Sequence, residues 1–170
     1  MKPDFNADLE FSHSLSSETF WYDVYREAFP GLESAVCVRN DGWAQRGGID
    51  RVLTLASGKT LTVDEKGRRG DWPDIALEYK HVYTNGHKTL GWIAKELACD
   101  YLAYAFVPSK RCFLFPFLTL RRAWRLNGLR WKNQFGDIAS DNGTYKSHSV
   151  CVPTDLLLKS VSEAMLVNWQ

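Results

Sequence analysis

Asp50, Asp64 and Lys66 are the residues whose types and spacing could do chemistry. They sit on two runs, Ile49 to Leu55 and Thr60 to Lys66, on either side of Ala56-Ser57-Gly58-Lys59. Both runs are rich in Val, Leu, Ile and Thr, and Ser-Gly between them is a turn signal, so the pair reads as a β-hairpin. Side chains alternate along a strand, which sets Asp64 and Lys66 on one face and Leu61 and Val63 on the other. A three-residue loop of Ser57-Gly58-Lys59 pairs Ala56 with Thr60 and brings Asp50 opposite Lys66. A two-residue loop would send Asp50 to the other face. In the first register two carboxylates and an ammonium share one face. Like-charged carboxylates repel, and a cation relieves the strain. Such oxygen ligands suit Mg²⁺, which takes one or two carboxylates and completes its shell with water and phosphate. The plainer use of the same residues is a surface hairpin with a weak cross-strand Asp–Lys pair.

Asp50, then Asp64-x-Lys66, with Gly48-Ile49 before the first Asp, resembles the D…(D/E)-x-K signature of the PD-(D/E)XK nuclease superfamily, in its Holliday-junction-resolvase-type branch. A preceding amphipathic helix and a hairpin carrying the motif are in the expected order, and the resemblance covers about residues 14–118, the span of a domain of about one hundred residues. It implies a restriction-endonuclease-like α/β fold and Mg²⁺- or Mn²⁺-dependent hydrolysis of phosphodiester bonds, most naturally in DNA. It further implies that Asp50, Asp64 and the backbone carbonyl of Glu65 hold the metal, and that Lys66 positions or activates the attacking water. A glutamate near the start of the first helix often joins such sites, and Glu18 is the matching position; an acid favoured by the helix dipole explains it equally well. Glu78-Tyr79-Lys80 is a second E-x-K and the second choice for the catalytic pair. The competing class is a catalytically idle nucleic-acid-binding or phage-assembly module on the same fold.

The elements that must position these residues follow from periodicity. Ser16-Ser17-Glu18 starts a helix whose stripe is Phe20, Trp21, Val24, Tyr25, Ala28 and Phe29, and Pro30-Gly31 stops it. Ala35 to Arg39 is a short strand, Asn40-Asp41-Gly42 a turn. The glycines of Gln45-Arg46-Gly47-Gly48 imply positive φ or close approach, by a phosphate or by nothing more than a turn. Asp74 to Lys80 is a third strand; set beside the second, it would bring Glu78 near Asp64. Thr89 caps an expected helix with Leu90, Ile93, Ala94, Leu97 and Ala98 inward and Lys95 and Glu96 outside. Tyr101 to Val107 and Cys112 to Phe117 are nearly all apolar, which suits central strands covered on both faces. A further helix runs from Thr119 to Asn127-Gly128. Lys146 to Val152 reads as a late edge strand, and a last helix carries Leu157, Val161, Ala164 and Met165 inward. The expected fold is thus one mixed sheet flanked by helices. A C-terminal strand–helix extension over residues 119–170 serves as lid or support.

At 170 residues the chain is most simply one domain. Its net charge is +1, so attraction to a polyanion must be local. Arg121, Arg122, Arg125, Arg130 and Lys132 lie between Leu118 and Lys132 with no acid, interleaved with Trp124 and Trp131. Arginines of this kind neutralise phosphates and aromatic faces stack on unpaired bases; a solvated helix face is the alternative. Arg68 and Arg69, directly after the motif, are the other candidate phosphate contacts. Cys37, Cys99, Cys112 and Cys151 are isolated and read as free thiols of a reducing cytoplasm. No apolar run approaches the ~20 residues of a membrane span, and Met1 to Asn6 lacks a signal-peptide core. The expected partner is nucleic acid, with no membrane; a homodimer is compatible with the chain.

Overall fold

The computed structural model describes residues 19–170. The first helix, α1 (Phe20–Ala28), buries Trp21, Val24 and Tyr25, three residues of the expected stripe. The chain reverses at Gly31 (φ +82°) into β1 (Leu32–Cys37). The Asn40-Asp41-Gly42 stretch opens a one-turn helix rather than a simple turn. In α2 (Gly42–Arg46), Asp41 Oδ1 accepts from the backbone N–H groups of Trp43 (2.9 Å) and Ala44 (3.0 Å), the usual N-cap device. The hairpin follows as β2 (Arg51–Leu55) and β3 (Thr60–Arg68).

The strands form two sheets, where the sequence suggested one. After β4 (Asp74–Tyr83) and β5 (Lys88–Leu90) come β6 (Tyr101–Phe106) and β7 (Arg111–Pro116). A six-stranded sheet has the order β1-β2-β3-β6-β7-β10, where β10 is Met165–Asn168. Its pairs are antiparallel except β3 with β6, which makes it mixed. β4 does not lie beside β3. It pairs with β5 and with β9 (Tyr145–Pro153), and β8 (Ile138–Asp141) completes a four-stranded antiparallel sheet. The place beside β3 goes to β6 because β6 is apolar on both faces and must be covered on both: Leu102, Tyr104 and Phe106 face one way, Ala103 and Ala105 the other. β4 alternates, so it can leave one face in solvent.

Two cores result. Beneath α1, Trp21, Val24 and Tyr25 pack on Leu53, Leu61, Val63, Ala103, Ala105 and Leu114. On the opposite face, Leu102, Tyr104, Phe106, Phe113 and Phe115 meet Ile75, Leu77, Val150 and Val152 of the smaller sheet. α3 (Phe117–Phe135) and α4 (Thr154–Ser160) complete that layer through Leu120, Trp131 and Leu157. The chain is therefore α/β, with helices on a mixed sheet.

Three expectations need correcting. Residues 89–98 form no helix; Gly91 packs so closely on the Glu78 backbone that a Cβ would stand 2.4 Å from its carbonyl oxygen. Ile93 N–H donates to the Glu78 carbonyl (3.1 Å) and Ala98 N–H to that of Gly47 (2.7 Å), so neighbouring segments take the donors a helix would need. Asn127-Gly128 does not stop α3. Gly128 is buried under Trp124, where a Cβ would stand 3.2 Å from the indole, and buried Trp131 holds the next turn; the helix ends at Gly136 (φ +83°). The tail is no peripheral lid. β9 is an inner strand of the second sheet, and β10 joins the edge of the first, with Met165 in that strand.

Candidate functional site

The hairpin delivers the three residues, in a register two positions from the expected one. Leu55 N–H donates to the Lys59 carbonyl (2.9 Å) and Gly58 N–H to the Leu55 carbonyl (2.8 Å), so the three-residue loop is Ala56-Ser57-Gly58. Gly58 at φ +81° supplies its left-handed residue. The ladder runs Thr54–Thr60, Leu53–Leu61, Val52–Thr62, Arg51–Val63. A shift of two preserves which face each side chain takes. Asp50 sits just beyond β2. Its N–H donates to the Val63 carbonyl (2.8 Å), although Val63 already pairs with Arg51, and its Oδ2 accepts from Glu65 N–H (2.8 Å). This bulge turns the Asp50 carboxylate across the open end of the ladder. Gly48 makes the approach possible: its φ is +67°, and a Cβ there would stand 2.8 Å from the Leu97 side chain. Gly48 is thus required both by its positive φ and by close packing on Leu97.

Asp64 and Lys66 point away from α1, and their side chains meet at 2.7 Å. Asp64 is 4% exposed, and its Oδ2 is buried without a hydrogen-bond partner. Burial, reinforced by the nearby Asp50 carboxylate and only partly opposed by Lys66, pushes the Asp64 carboxyl up to about 6. Burial works against the Lys66 ammonium, yet Asp64 and Asp50 outweigh it and hold Lys66 above the ordinary lysine range. Arg39, just past β1, spans the same place. Its Nε lies 3.1 Å from Asp50 Oδ1, and its Nη2 lies 3.3 Å from Asp50 Oδ2 and 3.4 Å from the Glu65 carbonyl oxygen.

Glu65 divides between the two faces. Its carboxylate lies under α1, where it accepts from Tyr25 O–H (2.7 Å) and pairs with the Arg51 guanidinium. Burial raises this carboxyl against the pull of Arg51 and Tyr25. Its side chain therefore ties α1 to the hairpin, while its backbone carbonyl (3.4 Å) and, at longer range, its Oε2 (4.0 Å) both lie near Arg39 Nη2.

Asp50, Asp64 and Lys66 line one open cleft of about 310 Å³, together with Arg39, Gln45, Arg46, Gly48, Glu65, Trp92, Lys95 and Leu97. Four cations and two aspartates surround it, so its wall favours an anion.

Other expected residues lie elsewhere. Glu18 falls outside the described residues. Arg68 Nε donates to Tyr104 O–H and its guanidinium lies over that ring (5.1 Å), which makes it a packing residue; Arg69 is exposed. Arg121 is claimed by Glu96 at 2.9 Å, and Arg125 reaches the same carboxylate at 3.9 Å. The acid missing from that stretch of sequence thus arrives from another. Arg122 is exposed, in company with Leu118, Leu126 and Leu129, so the solvent face of α3 is mixed rather than basic. Trp131 is buried, which removes it from base stacking, and half-buried Trp124 already stacks on Tyr79. Glu78 and Lys80 belong to the second sheet: Glu78 meets His81 at 2.8 Å and Lys80 lies over the Tyr79 ring. Neither lines the cleft.

Arg39, Arg46, Trp92 and Lys95 were not anticipated in the site. Gln45-Arg46 directly before paired glycines was the available signal. Lys95 was hidden by the helix that does not form. Among the described residues no group of three His, Cys, Asp or Glu side chains could hold a metal, and no helix is long and apolar enough to cross a membrane. No protein-family model matches the chain, and neither a curated protein nor a solved structure does.

Proposed function

We propose that the chain is a metal-dependent nuclease of PD-(D/E)XK type, with a restriction-endonuclease-like core, hydrolysing phosphodiester bonds in DNA. The observation that carries this reading is the convergence of Asp50, Asp64 and Lys66 in a cationic cleft, with Asp64 Oδ2 buried and unpartnered. The residues fit a hard divalent cation: two carboxylates and a backbone carbonyl are enough for Mg²⁺, which keeps several waters. A pair of acids of which one, Asp64, is buried with its carboxyl pushed up to about 6 is also a pair that a cation would relieve. Asp50, Asp64 and the Glu65 carbonyl would hold Mg²⁺ or Mn²⁺, which when bound polarises a phosphoryl oxygen and lowers the pKa of its water.

The chain's own residues do the rest. Lys66, held charged by the two aspartates, donates to the attacking water or to a phosphate oxygen as negative charge develops. Arg46 and Lys95 at the rim hold flanking phosphates. Arg39 keeps the Asp50 carboxylate oriented.

A second reading rests on Arg39. Its guanidinium already bridges Asp50 and the Glu65 carbonyl, which would suit an idle nucleic-acid-binding module whose internal cation has replaced the metal. Incubation of the purified chain with supercoiled plasmid and circular single-stranded DNA, with Mg²⁺ or EDTA, decides between them. The nuclease reading expects cleavage only with Mg²⁺, lost in Asp64→Asn and Lys66→Ala. Binding without cleavage by the wild type, or full cleavage by Asp64→Asn, would refute it.

A further inference from the structure

We propose that Trp43 and Arg46 together receive one unpaired nucleotide at the mouth of the cleft, so that the chain selects single-stranded or locally unpaired DNA. The inference deepens the nuclease reading and rests on it only in placing a phosphate in the cleft.

Trp43 is 82% exposed. Water around an indole is unfavourable, and a lone exposed aromatic is common enough to need no explanation by itself. Its surroundings are what mark it. It sits on α2, whose Gln45 and Arg46 line the cleft. α2 is a fixed platform: Asp41 caps its start, Ile49 N–H donates to the Ala44 carbonyl (2.9 Å), and Ala98 N–H donates to the Gly47 carbonyl (2.7 Å). The last of these bonds binds the end of α2 to the same Leu97–Ala98 segment against which Gly48 turns. Three positions apart on one helical turn, Trp43 and Arg46 are neighbours, and the guanidinium lies 5.4 Å from the indole centroid. An exposed aromatic ring with a cation over it is thus held on the same short helix as the cleft residues Gln45 and Arg46.

A nucleotide offers the complementary pair, a flat base and a phosphate. Stacking on an aromatic needs a base whose face is free, which a paired and stacked duplex does not present. The indole carries no fork of donors to read base edges in a groove, so the contact tolerates any base. Charge agrees: Arg39, Arg46, Lys66 and Lys95 surround the cleft, and among the described residues Arg39 and Lys66 pair with its acids whereas Arg46 and Lys95 do not. Of the Trp124–Trp131 pair, which the sequence offered for stacking, Trp131 is fully buried and Trp124 is half-buried against the same core.

The test is binding in EDTA, measured by fluorescence anisotropy with a labelled oligothymidylate and a blunt duplex of equal length. The wild type should prefer the single strand. Trp43→Ala should weaken single-strand binding by roughly tenfold and leave duplex binding unchanged, because one stacking contact is lost. Trp43→Phe should keep most of the affinity. Arg46→Ala should lower the single-strand salt slope by about 0.7. Trp43 is exposed, so Ala there should leave the thermal melt unchanged, and a shifted melt with weakened binding to both substrates would overturn the inference. Equal affinity for the two substrates, or no loss in Trp43→Ala, would also overturn it. Conversion of a dimer to a monomer by Trp43→Ala, with binding intact, would assign the face to a second copy beside the β1 edge. Because the assay needs no cleavage, a protein that stacks through Trp43 but never cuts refutes the nuclease reading alone, and one that cuts equally well without Trp43 refutes this inference alone.

Discussion

Asp64→Asn should reveal the strain in the metal-free site as a pH dependence. The Asp64 carboxyl rises from 3.8 to about 6 on folding, through burial first and Asp50 second. A carboxyl whose folded pKa is raised binds more protons folded than unfolded between those two values. Stability therefore falls as pH rises through that window and is level outside it. The size is the shift times 1.36 kcal/mol per pKa unit, about 3 kcal/mol in all. Asn at position 64 cannot ionise and escapes this loss. Urea unfolding in EDTA, followed by tryptophan fluorescence from pH 4 to pH 8, should show the stability of Asp64→Asn minus that of the wild type growing by about 2.4 kcal/mol, the part of that total lying above pH 4, up to about pH 7 and then levelling. Other groups cancel in the difference. Lys66 is held above its usual range and titrates outside the window. A flat difference, or one that shrinks as pH rises, would refute the reasoning and with it the buried, raised Asp64 carboxyl.

Three further outcomes follow from the geometry. Arg46→Ala and Lys95→Ala should each reduce the salt slope of duplex DNA binding by about 0.9, whereas Arg121→Ala, already paired with Glu96, should leave it unchanged. Tyr25→Phe removes the donor to the buried Glu65 carboxylate and should cost about 1.5–3 kcal/mol in urea unfolding, with little effect on metal affinity. Gly48→Ala meets both positive φ and the Leu97 side chain, and should cost about 1–3 kcal/mol while displacing Asp50, read as weakened Mn²⁺ binding in calorimetry.

The legible parts of the sequence were those whose signals are local. The stripe of α1, the hairpin and its three-residue loop length, and the two apolar central strands all rest on short-range periodicity. The shared face of Asp50, Asp64 and Lys66 survived a wrong register because an even shift preserves side-chain direction. What failed depended on contacts between distant segments. Gly91 reads as helix-compatible until the Glu78 backbone is known to lie against it. Asn127-Gly128 reads as a stop until Trp124 and Trp131 are seen to close over the glycine. Arg121 reads as free until Glu96, 25 residues earlier, is brought beside it. The division into two sheets was equally out of reach, since β3 could take β4 or β6 as neighbour and the choice falls to the strand that needs cover on both faces. The cleft's rim shows the same limit: Arg39, Arg46 and Lys95 come from three segments that meet only after Gly48 turns against Leu97.

The site itself is tested most directly by a crystal of the protein soaked in Mn²⁺ and measured at the manganese absorption edge. The account predicts one anomalous peak bound by Asp50, Asp64 and the Glu65 carbonyl, with the Arg39 guanidinium moved off the Asp50 carboxylate. Arg39 still seated on Asp50, with no peak between the two aspartates at saturating Mn²⁺, would contradict it.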